Sequence, residues 1–182
     1  MKRILPLFLV FLLGCSGPDP AMEAALDLRS RCLASPSIRF RAEIRADYIT
    51  GFEEFTLDCE TSPDGAVAFR VVHPEEIADI CGTVQQDEGT VEFDGAVLAY
   101  PLMAQERLSP LSGPWVVMKA IRSGCILAAG REGELVHVTI DDSYEDNALT
   151  VDLWLEDGLP EEAEIAWEGR RVLSMTFDDF SA

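Results

Sequence analysis

Apolar and charged residues alternate strictly near the start of the chain. Every second residue between positions 38 and 48 is apolar, and each residue between them is charged. A period of two places neighbouring side chains on opposite faces, so the pattern predicts a half-buried antiparallel strand of about eleven residues. Residues 54–60 alternate in the same way after Gly51, which permits a turn. The two segments therefore predict a hairpin.

The same alternation recurs along most of the chain and predicts about ten consecutive antiparallel strands. Ser62-Pro63-Asp64-Gly65 and Asp94-Gly95 have the composition of tight turns between strands. Residues 74–77 predict one helical turn. Beyond the first hairpin, the predicted strands are residues 66–72, 80–87, 90–93, 96–100, 125–129, 134–141, 147–156, 161–169 and 171–180.

Two segments have helical spacing instead. Residues 20–34 follow Asp19, which can accept a hydrogen bond at a helix start, and begin with a first-turn proline. A Pro-flanked segment, residues 109–114, then interrupts the strands before a second short helix that ends at Gly124, predicted here to be a left-handed cap. The first helical stripe contains Met22, Ala25, Leu26, Arg29 and Leu33, and the second contains Trp115, Met118 and Ile121.

These elements predict one domain of the mainly β (α+β) class, over residues 22–182. A flat open sheet of this many strands would curl or split, so we expect a single curved antiparallel sheet or an incomplete β-barrel. The short helices are expected to cover its concave, apolar face. The sequence shows no fixed repeat and no second domain boundary.

The first residues indicate export and anchoring. A basic start, Met1-Lys2-Arg3, precedes ten uncharged residues, a run of about 15 Å as a helix, too short to span a bilayer. Leu12-Leu13-Gly14-Cys15 resembles the lipobox of bacterial lipoproteins. That resemblance implies a signal peptide over residues 1–14, a diacylglyceryl group on Cys15, and a lipidated tether over residues 15–21. The alternative is an ordinary signal peptide cut near Gly17.

The acidic charge of the chain excludes nucleic acids as partners and restricts how the chain can bind a membrane. The 182 residues contain 14 Lys or Arg and 33 Asp or Glu, a net charge of -19, and such a surface repels nucleic-acid phosphates. Loss of residues 1–14 removes Lys2 and Arg3, so the mature chain has 12 basic residues against 33 acidic ones, or -21. Anionic lipid headgroups would repel it, so the acyl chains must hold it at the membrane. We therefore expect an extracytoplasmic protein that is lipid-anchored to a bacterial membrane.

The cysteine count fits an exported chain. Cys32, Cys59, Cys81 and Cys125 remain when Cys15 is set aside, and an even number permits two disulfides in three connectivities. We expect pairing, without a choice of partners. Four buried free thiols are the alternative. No CxxC spacing occurs, so no zinc site is expected.

The order of these features resembles the LolA/LolB lipoprotein-carrier superfamily, above all its membrane-anchored members in spore-forming bacteria. The resemblance covers residues 22–180 and includes the passage from Val72 to Ile77 and the Pro-flanked central helix. The stretch from Leu153 to Phe180 is similar to the closing hairpins of that group. The resemblance implies an incomplete barrel whose helices form a lid over an apolar cavity.

Candidate binding residues follow from that fold. A cavity for an acyl chain would be lined by Phe40, Ile44, Trp115, Met118, Ile121 and Trp154. Trp154 alternates with Leu153 and Leu155, so it can also point outward. The alternative is a core filled by its own side chains.

No catalytic residues, metal ligands or cofactors are expected. The chain has no nucleophile elbow, and neither His73 nor His137 has a recognisable partner. The carboxylates of residues 161–164 are predicted to lie at a solvated strand edge, and those of residues 141–146 in a solvated turn. The sequence thus favours a non-enzymatic protein that binds an acyl chain or a lipidated protein segment. The alternative is an envelope scaffold that docks another protein or a second copy as a homodimer, without bound lipid.

Overall fold

The computed structural model describes residues 19–48, 51–104, 107–143 and 148–182. The predicted signal peptide and Cys15 lie outside these residues. Two α-helices are present, α1 (Pro20–Ala34) and α2 (Gly113–Ser123), with short 3-10 turns at Glu75–Ile77 and Pro110–Ser112. The strands are β1 (Arg39–Tyr48), β2 (Gly51–Thr61), β3 (Val67–His73), β4 (Cys81–Gln85), β5 (Glu88–Phe93), β6 (Ala96–Pro101), β7 (Met103–Ala104), β8 (Arg107–Leu108), β9 (Cys125–Glu132), β10 (Leu135–Asp141), β11 (Thr150–Glu156), β12 (Leu159–Trp167) and β13 (Arg170–Ser181).

Eleven of these strands form one antiparallel sheet in the order β6-β5-β4-β3-β2-β1-β13-β12-β11-β10-β9. Strands β1 to β6 and β9 to β13 each follow one another along the chain, so the sheet consists of two meanders. The meanders join where β1 pairs with β13. The sheet is curved and unclosed, which confirms the predicted fold class.

Several hairpins turn through two residues with positive φ. Asp94-Gly95 connects β5 to β6 with φ of 50° and 76°, as the sequence predicts. Glu168-Gly169 connects β12 to β13 with φ of 50° and 74°. Positive φ at both turn positions matches the right-handed twist of the flanking strands, so these hairpins fix the register of their strands locally.

One face of the sheet carries the core, and we call it the inner face. Alternate residues of each strand point to it, as in β1, where Phe40, Ala42 and Ile44 are buried between exposed or half-exposed charged residues. The same alternation buries Val151 and Leu153 in β11. Both helices cover the inner face, while the opposite, outer face is polar and largely open to solvent.

The residues that α1 buries against the sheet differ from the predicted apolar stripe. Asp19 caps it through a hydrogen bond from the Ala21 amide, and Ala21 lies buried in the helix, so the predicted tether overlaps the first turn. The buried positions are Ala21, Ala25, Leu28 and Cys32. Leu26 and Leu33 are exposed, which corrects the predicted stripe. The small alanines allow α1 to lie close against β9 and β10.

Helix α2 buries its predicted stripe. Trp115, Met118 and Ile121 are all buried. A Cβ atom at Gly113 would lie 2.8 Å from Cε of Met175 and 3.1 Å from Cδ1 of Leu173, so the start of α2 rests directly on β13. This close contact sets the depth of the helix in the curved sheet.

The end of α2 corrects another prediction. Gly124 is in the extended region, with φ of -67° and ψ of 165°, and is not a left-handed cap. A Cβ atom there would meet the Asp141 carbonyl oxygen at 2.5 Å and Cγ2 of Ile140 at 2.6 Å. Glycine is required because the end of α2 crosses β10 closely. Among the described residues, no helix has the length and apolar composition to cross a membrane.

Candidate functional site

Five of the six residues predicted to line an acyl cavity lie in the packed core. Phe40 and Ile44 project from the inner face of β1, and Trp115, Met118 and Ile121 project from α2. The three apolar side chains of α2 occupy the space that a lid over an empty cavity would leave open. Between α1, the end of α2 and strands β10 and β11, the enclosed space measures about 10 Å³. A space of that size holds no acyl chain.

Trp154 is not part of this core. Leu153 and Leu155 point to the inner face of β11, so Trp154 between them points to the outer face. Its ring stacks on His137, with centroids 4.7 Å apart and an angle of 10° between the planes. Its Nε1 donates a hydrogen bond to Oε2 of Glu132 at 2.8 Å. The strict alternation of β11 therefore removes Trp154 from the predicted ligand-binding set.

The two histidines belong to separate parts of the outer face. Nε2 of His137 lies 2.8 Å from Oδ1 of Asp152, which also accepts a hydrogen bond from the Thr139 hydroxyl at 2.7 Å. His73 borders a shallow hollow beside Glu54 and Glu162. Within the described ranges, neither ring is hydrogen-bonded to a serine or cysteine, and no His, Cys, Asp and Glu cluster is arranged to hold a metal ion.

The cysteines are free thiols, which corrects the expected pairing. Cys59 lies opposite Phe69 of β3, and Cys81 lies opposite Arg70 on the other side of the same strand. With β3 between them, their Cα atoms are separated by two strand spacings, roughly 10 Å, beyond the reach of a disulfide. Cys32 lies buried on α1, and Cys125 begins β9.

Burial also makes two of these thiols chemically inert. It raises the pKa of Cys32 to about 11 and raises the pKa of Cys59 further. Little thiolate forms at neutral pH under those conditions, and the thiolate is the reactive species. The alternative of buried free thiols therefore describes Cys32 and Cys59, while Cys81 and Cys125 are half-exposed.

A trough of about 640 Å³ lies on the outer face, where it crosses strands β1 to β6. We call it the outer trough. Most of the residues that line it alternate with the core residues, so it opens on the outer side of the sheet. Five members of the inward set also contribute to its lining: Phe40, Cys59, Phe69, Gly82 and Val91. It is lined by the outward side chains Arg39, Arg41, Asp58, Glu60, Ala68, Arg70, Cys81, Thr83, Thr90, Glu92, Val97 and Asp179.

Ion pairs between neighbouring strands occupy one end of the outer trough. Nη2 of Arg39 lies 3.0 Å from Oε1 of Glu60, and Nε of Arg41 lies 2.8 Å from Oδ1 of Asp58. The hydrogen bond from Arg39 lowers the pKa of Glu60, and the bond to Asp58 raises the pKa of Arg41. Because these guanidinium groups already have carboxylate partners, this part of the trough is poorly suited to an apolar chain.

Strands β4, β5 and β6, residues Cys81–Pro101, extend the sheet away from α1 and β9, and we call them the wing. Phe93 is 63% exposed and Leu98 is 60% exposed on the inner face of the wing. Val97, on its outer face, is 66% exposed. Phe93 and Leu98 are diagonal neighbours across the β5–β6 hairpin and form an exposed apolar patch on that face. Such a patch marks an interaction surface more often than scattered exposed side chains do.

The sequence pattern correctly predicted the three strands of the wing and the turn between β5 and β6, but it did not predict their exposure. The segment 96–100 is uncharged, a composition typical of a buried strand. Its exposure depends on the position of β6 at the end of the sheet, with β5 as its only partner strand among the described residues. Strand order depends on the whole fold, so the local pattern of apolar and polar residues does not predict that β6 lies at the end of the sheet.

The sequence matches no protein-family model and no curated protein. Solved structures of similar fold do exist. A LolA superfamily protein from Nitrosomonas europaea is 9% identical, with 88% of this chain and 92% of that chain covered and a TM-score of 0.49. The lipoprotein LppX from Mycobacterium tuberculosis is 12% identical, with 89% and 96% covered and a TM-score of 0.40.

A chain in the complex of the CwlD amidase with the GerS lipoprotein, from Clostridioides difficile, is also similar. It is 11% identical, with 100% of this chain and 99% of that chain covered and a TM-score of 0.40. The occurrence of LolA superfamily proteins and bacterial lipoproteins among these structures agrees with the resemblance drawn from the sequence. These likenesses concern the course of the chain and carry no argument about activity.

Proposed function

We propose that this chain is a non-catalytic docking domain, held at a bacterial membrane by a lipid on Cys15, which binds a partner protein of the envelope through the wing. One observation carries the proposal. The space between α1, the end of α2, β10 and β11 is only about 10 Å³, whereas Phe93 and Leu98 on the inner face of the wing, and Val97 on its outer face, have no cover from the described residues. Burial of apolar surface contributes about 25 cal/mol per Å², so burial of these side chains can stabilise a complex.

The acyl-chain role expected from the sequence stays a prediction and requires a different geometry. An acyl chain could enter the inner face only if α2 moved away and exposed Trp115, Met118 and Ile121 to water. Exposure of each of these side chains costs about 1.5–3 kcal/mol. Docking at the wing needs no such movement, and a tethered domain can hold a partner at one place on the membrane.

Native mass spectrometry of the lipidated full chain, released from detergent, separates the two roles. The docking role predicts a mass equal to the mature chain plus its anchor, before and after incubation with a fatty acid. Saturable retention of one fatty acid per chain would establish the carrier role and contradict the proposal.

A photoreactive residue tests the docking surface directly. We expect benzoylphenylalanine at Leu98 to give one discrete protein adduct in envelope membranes. The matched control replaces Leu127, which is 55% exposed in β9 at the other end of the sheet, and is expected to give no adduct. Loss of the adduct at position 98, or the same adduct from both positions, contradicts docking through the wing.

A further inference from the structure

The backbone of β6 has a free edge with a defined set of polar groups. Phe93 lies opposite Ala96 across the two-residue turn, and this pair is hydrogen-bonded in a tight hairpin. Hydrogen-bonded and non-hydrogen-bonded pairs alternate along an antiparallel ladder. Leu98 therefore directs its amide and carbonyl groups to β5, while Val97 and Ala99 direct theirs away from the sheet. Pro101, which has no N–H, also falls in the outward set.

This edge lacks the features that normally prevent strand pairing. Natural edge strands carry charges, bulges or covering elements, because an open row of backbone groups pairs with other chains. Strand β9, at the other end of the sheet, has Arg131 and Glu132, a bulge in its pairing with β10, and α1 packed against it. Strand β6 has no charged residue and is exposed on both faces, with only Pro101 at its end.

The charge around the edge specifies the kind of strand that can pair with it. Residues 71–104, which include the whole wing, contain seven Asp or Glu and no Lys or Arg. Glu92 lies directly opposite Val97, and Glu88 lies opposite Pro101, so carboxylates flank the apolar edge. A second copy of this chain would bring equal charges together, whereas a strand with basic flanks would be attracted.

We propose that β6 accepts a β-strand of the partner protein, an extended segment with apolar residues flanked by Lys or Arg. The segment pairs with the outward groups of Val97 and Ala99 and covers the exposed side chains of Val97 and Leu98. This inference rests on the proposed docking function and adds its geometry and the chemistry of the partner. Main-chain hydrogen bonds provide affinity in this mode, and the flanking charges provide selectivity.

The test uses the lipidated full chain in phosphatidylcholine nanodiscs and a fluorescein-labelled peptide, Lys-Lys-Val-Thr-Val-Thr-Val-Lys-Lys. We expect saturable binding by fluorescence anisotropy and slower amide exchange at Val97 and Ala99, with no change at Leu98. Ala99→Pro removes an outward donor without touching the β5 ladder, and it should weaken binding about tenfold. Ala99→Val keeps the donor and should bind like the original chain.

Peptide controls test the charge argument. Replacement of the four lysines by glutamates should abolish binding, and added salt should weaken binding of the lysine peptide. Equal binding of the Ala99→Pro and Ala99→Val chains overturns strand addition. If sedimentation experiments show a dimer, and Ala99→Pro dissociates it, the edge binds a second copy of this chain. That result overturns the proposal of a partner strand with basic flanks. If the peptide does not bind but the adduct from position 98 persists, strand addition is overturned, whereas docking through the wing still stands.

Discussion

Arg29 joins the two helices through the backbone. Its Nε donates to the Ile121 carbonyl oxygen at 2.6 Å, and its Nη2 donates to the Gly124 carbonyl oxygen at 2.9 Å. These carbonyl groups lie at the C-terminal end of α2, where backbone acceptors lack helical partners and a positive charge is favourable. Sequence periodicity assigned Arg29 to the helical stripe without revealing this role, because its acceptors are about ninety residues away along the chain.

Arg29→Met should lower the free energy of unfolding by about 2 kcal/mol, because charged hydrogen bonds to half-buried carbonyls are lost while most of the side-chain stem remains. Equilibrium urea unfolding measures the change. Arg39→Met is the matched control, since its ion pair with Glu60 is exposed, and it should change the free energy by less than about 0.5 kcal/mol. Equal effects of the two substitutions would contradict the capping role of Arg29.

The accessibility of the cysteines should follow their burial. In the folded chain, we expect a thiol reagent at pH 8 to modify Cys81 and Cys125 within minutes, and to reach Cys32 and Cys59 only after unfolding in urea. Burial raises the pKa of both slow thiols and also blocks the reagent. Mass spectrometry of the modified peptides identifies each site. An absence of reactive thiols before reduction would indicate disulfides and refute the free-thiol assignment.

Whole elements were the most predictable part of the molecule. The period-two pattern located β1 and β2, and the Asp94-Gly95 signal located the β5–β6 turn, because both depend on neighbours in sequence. Gly124 was misread for a physical reason. A glycine can be required because the backbone has a positive φ or because another segment approaches it closely. Close approach depends on elements that are distant in the chain, so the local sequence does not reveal it.

Gly124→Ala should destabilise the chain by about 2 kcal/mol, since the added methyl group would overlap backbone and side-chain atoms of β10. The matched control is Gly130→Ala in β9, where an added Cβ atom has no neighbour within 4 Å. That change should be neutral or slightly stabilising. Thermal unfolding of both variants distinguishes the two sites, and equal melting temperatures would contradict the close packing of α2 on β10.

At the scale of the whole molecule, the candidate site was the least predictable feature. The apolar face of each strand identifies what is buried, but it does not determine whether helices fill the space that the sheet encloses. Met118 and Ile121 fit an acyl-chain lining and a packed core equally well as sequence. The distinction depends on how deeply α2 sits, which Gly113 and Gly124 set through contacts with β13 and β10.

The two ends of the sheet should differ in stability. The wing buries few side chains, with Val84 and Gly89 as its buried residues, whereas β11 buries every second residue under the helices. Hydrogen exchange should therefore proceed faster over residues 88–101 than over residues 150–156, through local opening of the wing. Mass spectrometry of exchange-labelled peptides checks this, and equal protection of both segments would contradict it. Addition of a partner strand should slow exchange in the wing alone.

The packing of α1 on β9 and β10 also constrains the order in which the chain can acquire its native contacts. Protein synthesis proceeds from the N-terminus, so α1 leaves the ribosome about ninety residues before the first strand on which it rests. Its apolar stripe must wait through the synthesis of the entire first meander. A chain that ends at residue 124 would therefore lack β9 and β10, and the buried stripe of α1 would have lost the strands against which it packs.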